Sequence, residues 1–447
     1  MYIYYMAGKR RSGLANHRRA YPCCKEVVPS TFTVTYNANG NPDLSGNTNT
    51  SGTVPTDGSS PYESGSTVIV LGNSGSLEDT GFTFAGWNTE ENGTGTSYVQ
   101  GDTFTITANT ILYAQWTTVP PPGEPTDLWS VAGNREAYIL FNQIGTVTNY
   151  AYSTDNGATY LSFNPPQIYS PVNISTLSDL SGGVTMLTNG VTYTVKLKAI
   201  RSGLFSDESL SVTVTPTTTS LLDSSERIIY LDASNSSSYS GSGSTWTNLE
   251  SAGALSASLI GSPTYDASGY FKFNTGSLTG QYAQIDQASA INPTANRPFT
   301  IQVWAKINNI GTQGTLVSKV FGSLSYDGYA FGYMGNTSLQ LHANGSQVNY
   351  FSSVSGVLSS GWALYTANIQ FGNGVGRQNK LFVNGRQVMT VTNTDTGIPT
   401  NTQNLTFPTG FYGEGECDIG QFYYYDNVHL TTEQIIQNFD ATKHRYM

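Results

Sequence analysis

Glu414-Gly-Glu-Cys-Asp418 sets three carboxylates at i, i+2 and i+4. On a β-strand that spacing puts all three on one face. Two carboxyl groups about 5–5.5 Å apart are what retaining hydrolysis of a glycosidic bond requires, one as acid/base and one as nucleophile. Gly413 and Gly415 flank Glu414, however, and make it a turn residue ahead of a strand that starts near Asp418. No cluster of tryptophans nearby suggests a sugar cleft. No catalytic residue is assigned here.

Other chemistry is no better supplied. The four histidines are His17, His342, His429 and His444, and two of them lie in terminal segments. None belongs to a Ser-centred G-x-S-x-G elbow, to His-x-x-x-His, or to a zinc spacing with cysteine. The glycines fall at turns between strands and form no phosphate cradle. Asp286, Asp327 and Asp418 are candidates for calcium at rim loops, since hard cations take carboxylates and carbonyls. An Asp in Tyr326-Asp-Gly328 is ordinary turn chemistry. No metal or cofactor ligand is assigned, and calcium stays open as a possibility for the C-terminal region. Tyr423, Tyr424 and Tyr425 alternate across a sheet, so at least one belongs to a core. Another is expected at a surface, for glycan stacking or for packing on a neighbouring module.

The elements that would position these residues are strands. Phe299-Thr-Ile-Gln-Val-Trp-Ala-Lys-Ile307 alternates as a half-buried strand does. Trp304 falls on its polar side, and we expect it to pack beneath a loop or helix rather than stand exposed. Lys380-Leu-Phe-Val-Asn-Gly-Arg-Gln-Val388 reads strand, Asn-Gly turn, strand. Asp418-Ile-Gly-Gln-Phe-Tyr-Tyr-Tyr-Asp426 is a closing strand. After it, Thr431-Thr-Glu-Gln-Ile-Ile-Gln-Asn-Phe439 is a short helix capped by Thr431.

With Ile228-Ile-Tyr-Leu-Asp-Ala233 and Trp246-Thr-Asn248, this order resembles the laminin-G/concanavalin-A-like family over 225–447. The resemblance implies a two-sheet jelly roll that binds carbohydrate or protein, sometimes with calcium at one rim. Some glycosidases of that fold take a nucleophile, an assisting Asp and an acid/base from one strand. Their order is Glu-Asp-Glu, whereas this chain has Glu-Glu-Asp.

Upstream, Phe32-Thr-Val-Thr-Tyr-Asn-Ala-Asn-Gly40, Gly81-Phe-Thr-Phe-Ala-Gly-Trp87 and Ala108-Asn-Thr-Ile-Leu-Tyr-Ala-Gln-Trp116 resemble the Listeria–Bacteroides repeat over 31–117, a β-grasp unit of bacterial surface proteins. Trp87 and Trp116 are the expected anchors of so small a core. The polar insert Pro42 to Pro61 is longer than a tight connection and reads as a mobile loop. The Pro-rich stretch 118–125 is a stiff linker. Residues 126–216 resemble a fibronectin type III domain, carried by Ala137–Phe141, Asn149–Gly157 and Leu187–Ala199. Tyr193 stands at the tyrosine-corner position and Phe141 where an early-strand Trp is usual. The insert Asn164 to Thr185 leaves strand boundaries there undefined.

The expected fold is therefore all-β, three modules in series: a β-grasp-like repeat, a fibronectin III sandwich and a laminin-G-like jelly roll. At 447 residues the chain is too long for one core, which agrees with about 100–200 residues per domain. Only 11% of residues are charged and 29 are tyrosine, a composition of exposed β-proteins. No apolar run of about 18 residues offers a membrane span.

Charge is unevenly placed. Residues 1–25 hold six of the 20 basic residues, Lys9, Arg10, Arg11, Arg18, Arg19 and Lys25, and none of the 30 acids. The rest carries fourteen basic groups against those thirty acids, a net −16. Phosphate neutralisation needs clustered Lys and Arg, so the body is not expected to bind nucleic acid. The arm (1–30), +6 over its first 25 residues, reads as a tail ordered only on an acidic partner. Its apolar residues precede the basic group, so no signal peptide is read. Cys23, Cys24 and Cys417 are an odd set without a disulfide framework, which suits folding in a reducing compartment; Cys23-Cys24 is also a minor acylation option.

These features point to a non-enzymatic virion surface protein, a minor capsid, spike or fibre component of a large DNA virus or phage. Its arm would meet other capsid or surface proteins, and its C-terminal sandwich a host glycan or protein. A secreted bacterial or algal adhesin is the alternative, and a glycoside hydrolase on the sandwich the third reading.

Overall fold

The computed structural model describes residues 30–40, 50–181, 185–223, 225–250, 254–274, 279–292, 294, 297–321, 327–335, 338–344, 351–354, 356–358, 360–371, 377–393, 403–410 and 412–447. The arm with Cys23 and Cys24, and the start of the polar insert, lie outside these. By contacts the chain divides into two compact units, 1–120 with 202–204, and 121–201 with 205–447. The described structure is nearly all β. No described helix is long and apolar enough to cross a membrane, which says nothing of a β-barrel.

In the first unit, strand Thr110–Thr118 runs parallel to Val34–Asn37 on one side and antiparallel to Phe82–Asn88 on the other. Trp87 is fully buried, edge-on to Tyr36 at 4.7 Å, and its indole N–H donates to the Leu71 carbonyl at 2.9 Å. The Tyr36 hydroxyl accepts the Leu71 N–H at 2.8 Å, so one backbone residue is held from both sides. Trp116 is only partly buried and donates to the Ala38 carbonyl at 3.1 Å. The described end of the polar insert is not all loop, for Thr50–Ser51 pairs with Glu78–Asp79.

The second unit begins with 126–216, two facing sheets around Ile139, Phe141, Tyr150, Val172, Val195 and Leu197. One sheet is Trp129–Gly133, Glu136–Leu140 and Val172–Ile174; the other is built on Asn149–Ser153 and Tyr193–Arg201. The Tyr193 hydroxyl accepts the Thr188 N–H at 3.0 Å, tying the strand entry to upstream backbone. Phe141 is buried and packs on Tyr150 at 4.8 Å. The long insert contributes the edge strand Val172–Ile174.

Residues 227–426 make two eight-stranded antiparallel sheets. The closing strand Cys417–Asp426 is central in the first. Phe299–Ile307 pairs along its whole length on one side, and Arg227–Asp232 and Tyr270–Phe273 share the other. Trp362–Ile369, Arg377–Val383 and Arg386–Asn393 continue that sheet. Asn384 and Gly385 both have positive φ (52° and 82°), the turn that matches strand twist in a two-residue hairpin. Between the sheets lies the largest core, with Ile229, Trp246, Phe271, Phe299, Val303 and Phe422.

A third layer covers the outer face of the first sheet. Helix α1 (Thr432–Thr442) starts on a capping box: Thr431 accepts the Gln434 N–H at 3.3 Å, and the Gln434 side chain accepts the Thr431 N–H at 2.9 Å. Its Ile435, Ile436 and Phe439 pack with Trp304, Leu364, Phe382, Tyr423 and Tyr425 of the sheet and with Tyr138 and Leu140 of 126–216. The segment 126–216 and the sandwich thus share a core. Strand Phe299–Ile307 is buried on both faces, not half-buried as alternation alone implies. Its polar side is matched by polar groups above: Thr300 donates to Val428, and Gln302 accepts from Asn438 at 2.7 Å. A buried polar face is tolerable when it is hydrogen-bonded.

Candidate binding site

The acids singled out in the sequence do not form a catalytic pair. The strand begins at Cys417, so Glu414 and Glu416 precede it. Glu414 is exposed and accepts the Gly280 N–H at 3.0 Å. Glu416 bridges through its backbone, donating to the Tyr333 hydroxyl and accepting from the Asn308 N–H, both at 3.0 Å. Asp418 is buried and accepts from Asn308 Nδ2 at 2.9 Å; burial pushes its carboxyl above the ordinary value. Asp286 accepts from Gln284 at 3.0 Å, and Asp327 opens a strand of the second sheet. Among the described residues no three of His, Cys, Asp and Glu converge on a metal position. His342 is buried in the second sheet and His444 sits in the turn after α1. His17 lies outside the described residues. Cys417 is a fully buried thiol whose pKa burial raises, which makes it inert.

The three consecutive tyrosines are all buried, so none stands exposed for glycan stacking, and the alternative of packing on a neighbouring module is the one observed. Tyr424 points into the inter-sheet core and stacks on Phe299 at 5.3 Å. Tyr423 and Tyr425 point the other way, into the layer under α1. The Tyr423 hydroxyl donates to Gln421 at 2.7 Å, and the Tyr425 hydroxyl accepts from Asn438 at 2.9 Å. Trp304 is buried as expected, stacked on Tyr446 at 4.6 Å and Phe439 at 5.8 Å, with its indole N–H donated to Thr442 at 2.8 Å. Gly420 permits this, because a Cβ there would stand 2.2 Å from the Tyr446 hydroxyl. The outer face of the first sheet is therefore closed to ligand where these side chains lie.

A charged cluster fastens 126–216 to α1. Asp440 accepts the Asn134 N–H at 2.8 Å, the Tyr138 hydroxyl at 2.9 Å and the Thr219 hydroxyl, and pairs with Lys443 at 2.9 Å. Lys443 also pairs with Glu136 and donates to the Tyr138 hydroxyl at 2.7 Å. Burial by itself would raise the Asp440 carboxyl, but hydrogen bonds from Lys443 and Thr219 outweigh it and hold the group below its ordinary value.

Beside this cluster the shared core leaves a groove of about 310 Å³, the lower end of the size range of small-ligand sites. Val383, Val388, Val357, Pro171 and Phe439 supply apolar wall, and Tyr138, Asn173, Asn384 and Arg386 supply polar groups. The Arg386 guanidinium carbon sits over the ring of Tyr169, 3.4 Å from its centroid, and the side chain has no carboxylate partner among the described residues. Burial draws its pKa below the ordinary arginine value, though a guanidinium stays charged. Asn173 donates to Glu136 at 2.8 Å, yet its Oδ1 is buried with no donor. Asn384 spends its Oδ1 on the Leu364 N–H at 2.8 Å.

A second cavity of about 340 Å³ is lined by Asn368, Lys380, His429, Leu430, Thr431 and Glu433. There Asn368 donates to Leu430 at 2.9 Å, Glu433 sits at the positive helix end and accepts from Trp129 at 2.9 Å, and His429 Nε2 is buried without a partner. The first groove differs in holding an arginine over an aromatic ring beside its buried amide oxygen. Sequence reasoning found its Asn384-Gly385 turn and not its use, and it missed Tyr169 and Asn173. Their signal was the long insert itself, since long connections within compact domains are often functional.

The fold is all-β, with a two-sheet sandwich and a ligand-sized groove. Residues 274–421 match the family model of the concanavalin A-like lectin/glucanases superfamily, and residues 32–115 that of the Listeria-Bacteroides repeat domain. The C-terminal half thus carries a laminin-G/concanavalin-A-like domain and the N-terminal part a Listeria–Bacteroides repeat. No curated protein matches the chain. Among solved structures, the binding domain of botulinum neurotoxin serotype C1 is 18% identical at a TM-score of 0.37, over 48% of this chain and 52% of that one. The receptor binding domain of the botulinum neurotoxin C/D mosaic serotype is 14% identical at 0.36, over 48% and 51%. The chain spans about half the length of these structures. At such TM-scores nothing of those proteins is carried over.

Proposed function

We propose that this chain is a non-enzymatic surface attachment protein whose second unit binds a glycan or protein. The observation that carries this reading is the groove: an apolar wall beside polar groups without partners, held rigid by a shared core. The segment 126–216 is read as fibronectin type III, supported by the tyrosine-corner bond of Tyr193, and 31–117 as β-grasp-like. The repeat serves as a spacer, and 126–216 supplies one wall of the groove.

Full-length protein should bind at least one member of a panel of immobilised glycans and cell-surface proteins. Val388→Trp, which fills the groove from a partly exposed position, should abolish that binding without shifting the urea midpoint. Unchanged binding by that variant overturns the placement. Hydrolysis of a β-glucan that disappears in Glu414→Gln or Glu416→Gln would replace the reading with the glycoside hydrolase.

The surface in question is proposed to be a virion, on the strength of the cationic arm and the scarcity of cysteine. Attraction between the arm and an acidic neighbour is screened beyond about 8–10 Å at ordinary ionic strength. Deleting residues 1–25 should leave both units folded and abolish incorporation into particles, and high salt should release the full-length protein. Normal assembly of the truncated protein would remove that argument. The match of 32–115 to the Listeria–Bacteroides repeat supports the alternative, an adhesin at a cell surface.

A further inference from the structure

Four arginines of the second unit have side chains whose partners define a contrast. Arg227, Arg297 and Arg445 pair with Glu250, Asp426 and Asp232. Arg386 pairs with no described carboxylate and is held instead on the face of Tyr169. A guanidinium held over an aromatic ring is pre-positioned and loses little rotamer freedom when a ligand arrives. A half-buried cation left without a counter-ion in an acidic body is a site in want of an anion.

Two further groups narrow the chemistry. Asn173 borders the groove, and its Oδ1, buried and without a donor among the described groups, is able to accept a hydroxyl or N–H. A carboxylate or sulfate alone cannot supply that hydrogen. The Asn384 amide N–H₂ makes no hydrogen bond to any described group and can donate. Beside them, Val383 and Val388 offer an apolar patch suited to the C–H face of a ring. A ligand that meets all of these presents an anion, a hydroxyl and an apolar face within one residue-sized body.

We propose, on the reading of the second unit as a binding module, that the groove is a subsite for a hexuronic acid residue of an acidic polysaccharide. The carboxylate meets the Arg386 fork, a ring hydroxyl donates to Asn173 Oδ1, and another accepts from Asn384. The volume suits about one sugar ring, so the neighbouring residues of the chain leave through the open side. Charge-assisted, forked contacts of this kind are stronger than neutral ones and are lost when the fork is removed.

The test uses the full chain and two defined probes, methyl β-D-glucuronide and methyl β-D-glucoside, followed by saturation-transfer NMR and titration. The glucuronide is expected to bind about tenfold more tightly than the glucoside, the scale of one hydrogen bond to a charged group. Arg386→Gln should bring the glucuronide down to the level of the glucoside, and Arg386→Lys should give an intermediate value. Unchanged urea midpoints in both variants certify the fold. Equal affinities in the wild type, or a preference that survives Arg386→Gln, overturn the acidic-sugar assignment. If neither probe binds while Val388→Trp still abolishes binding to another surface ligand, the sugar class fails and the binding reading stands. If Val388→Trp is also without effect, both fail.

Discussion

Trp304→Ala is expected to destabilise the second unit by about 3–5 kcal/mol, the range for truncating a large buried aromatic. The indole is fully buried between Tyr446 and Phe439, and its N–H is satisfied by Thr442. Truncation removes apolar burial and two stacked contacts and leaves a cavity under α1 that the sheet cannot close. Because the sheet beneath Trp304 also forms the inter-sheet core, loosening the layer should lower the urea midpoint of the whole unit, not of the helix alone. A variant with an unchanged midpoint would show that α1 and the chain end are not integral to the fold.

Asp440→Ala is expected to cost about 3 kcal/mol, at the low end of the range for breaking a buried ion pair, because Lys443 keeps Glu136 and some exposure. Four donors lose their acceptor at once, among them the Asn134 N–H and the Tyr138 hydroxyl. The same carboxylate predicts a pH dependence. Its pKa in the folded protein lies below the ordinary value, so the folded state binds fewer protons than the unfolded one. Its stabilisation is fully present above the unfolded carboxylate value of about 3.9 and is lost as pH falls through the folded value. Asp232, with Arg445, Ser234 and Gln421 around it, is shifted in the same direction and adds to that loss. The fall in urea midpoint between pH 6 and pH 3 should therefore be smaller in Asp440→Asn than in wild type. An identical fall in the two proteins would mean that the cluster contributes nothing to acid stability.

How much was legible in the sequence follows from which interactions are local. The strand Phe299–Ile307 was readable to the residue, because period-two alternation is a property of neighbouring side chains. The Asn384-Gly385 turn was readable because only such residues accept positive φ at both positions without strain. Thr431 was readable as a cap for the same kind of reason, a side chain three residues from the N–H it accepts. Tyr193 was placed from its position, and its hydroxyl reaches back only to Thr188.

What alternation could not convey is what lies above a face. Gln302 on a strand and Asn438 on a helix each read as solvent-facing. They are buried together because each is the other's partner across 136 positions of sequence. The same blindness left glycan stacking and packing on a neighbouring module as equal alternatives for the tyrosines. Tyr423 and Tyr425 do leave the inter-sheet core as the pleat requires, but they enter a second one that α1 and 126–216 supply.

The chain by itself thus determined the strands, turns, cap and small aromatic cores, along with the uneven charge between arm and body. These depend on residue type at short spacing. Tertiary structure alone decided that 126–216 and the sandwich share a core. It also decided that Glu414, Glu416 and Asp418 are spent on separate structural partners, and that Arg386, Asn173 and Asn384 border one groove. Asn173 and Arg386 come from segments more than two hundred residues apart. Such proximity is a product of packing, set by the mutual fit of faces, and no local pattern in either segment encodes it.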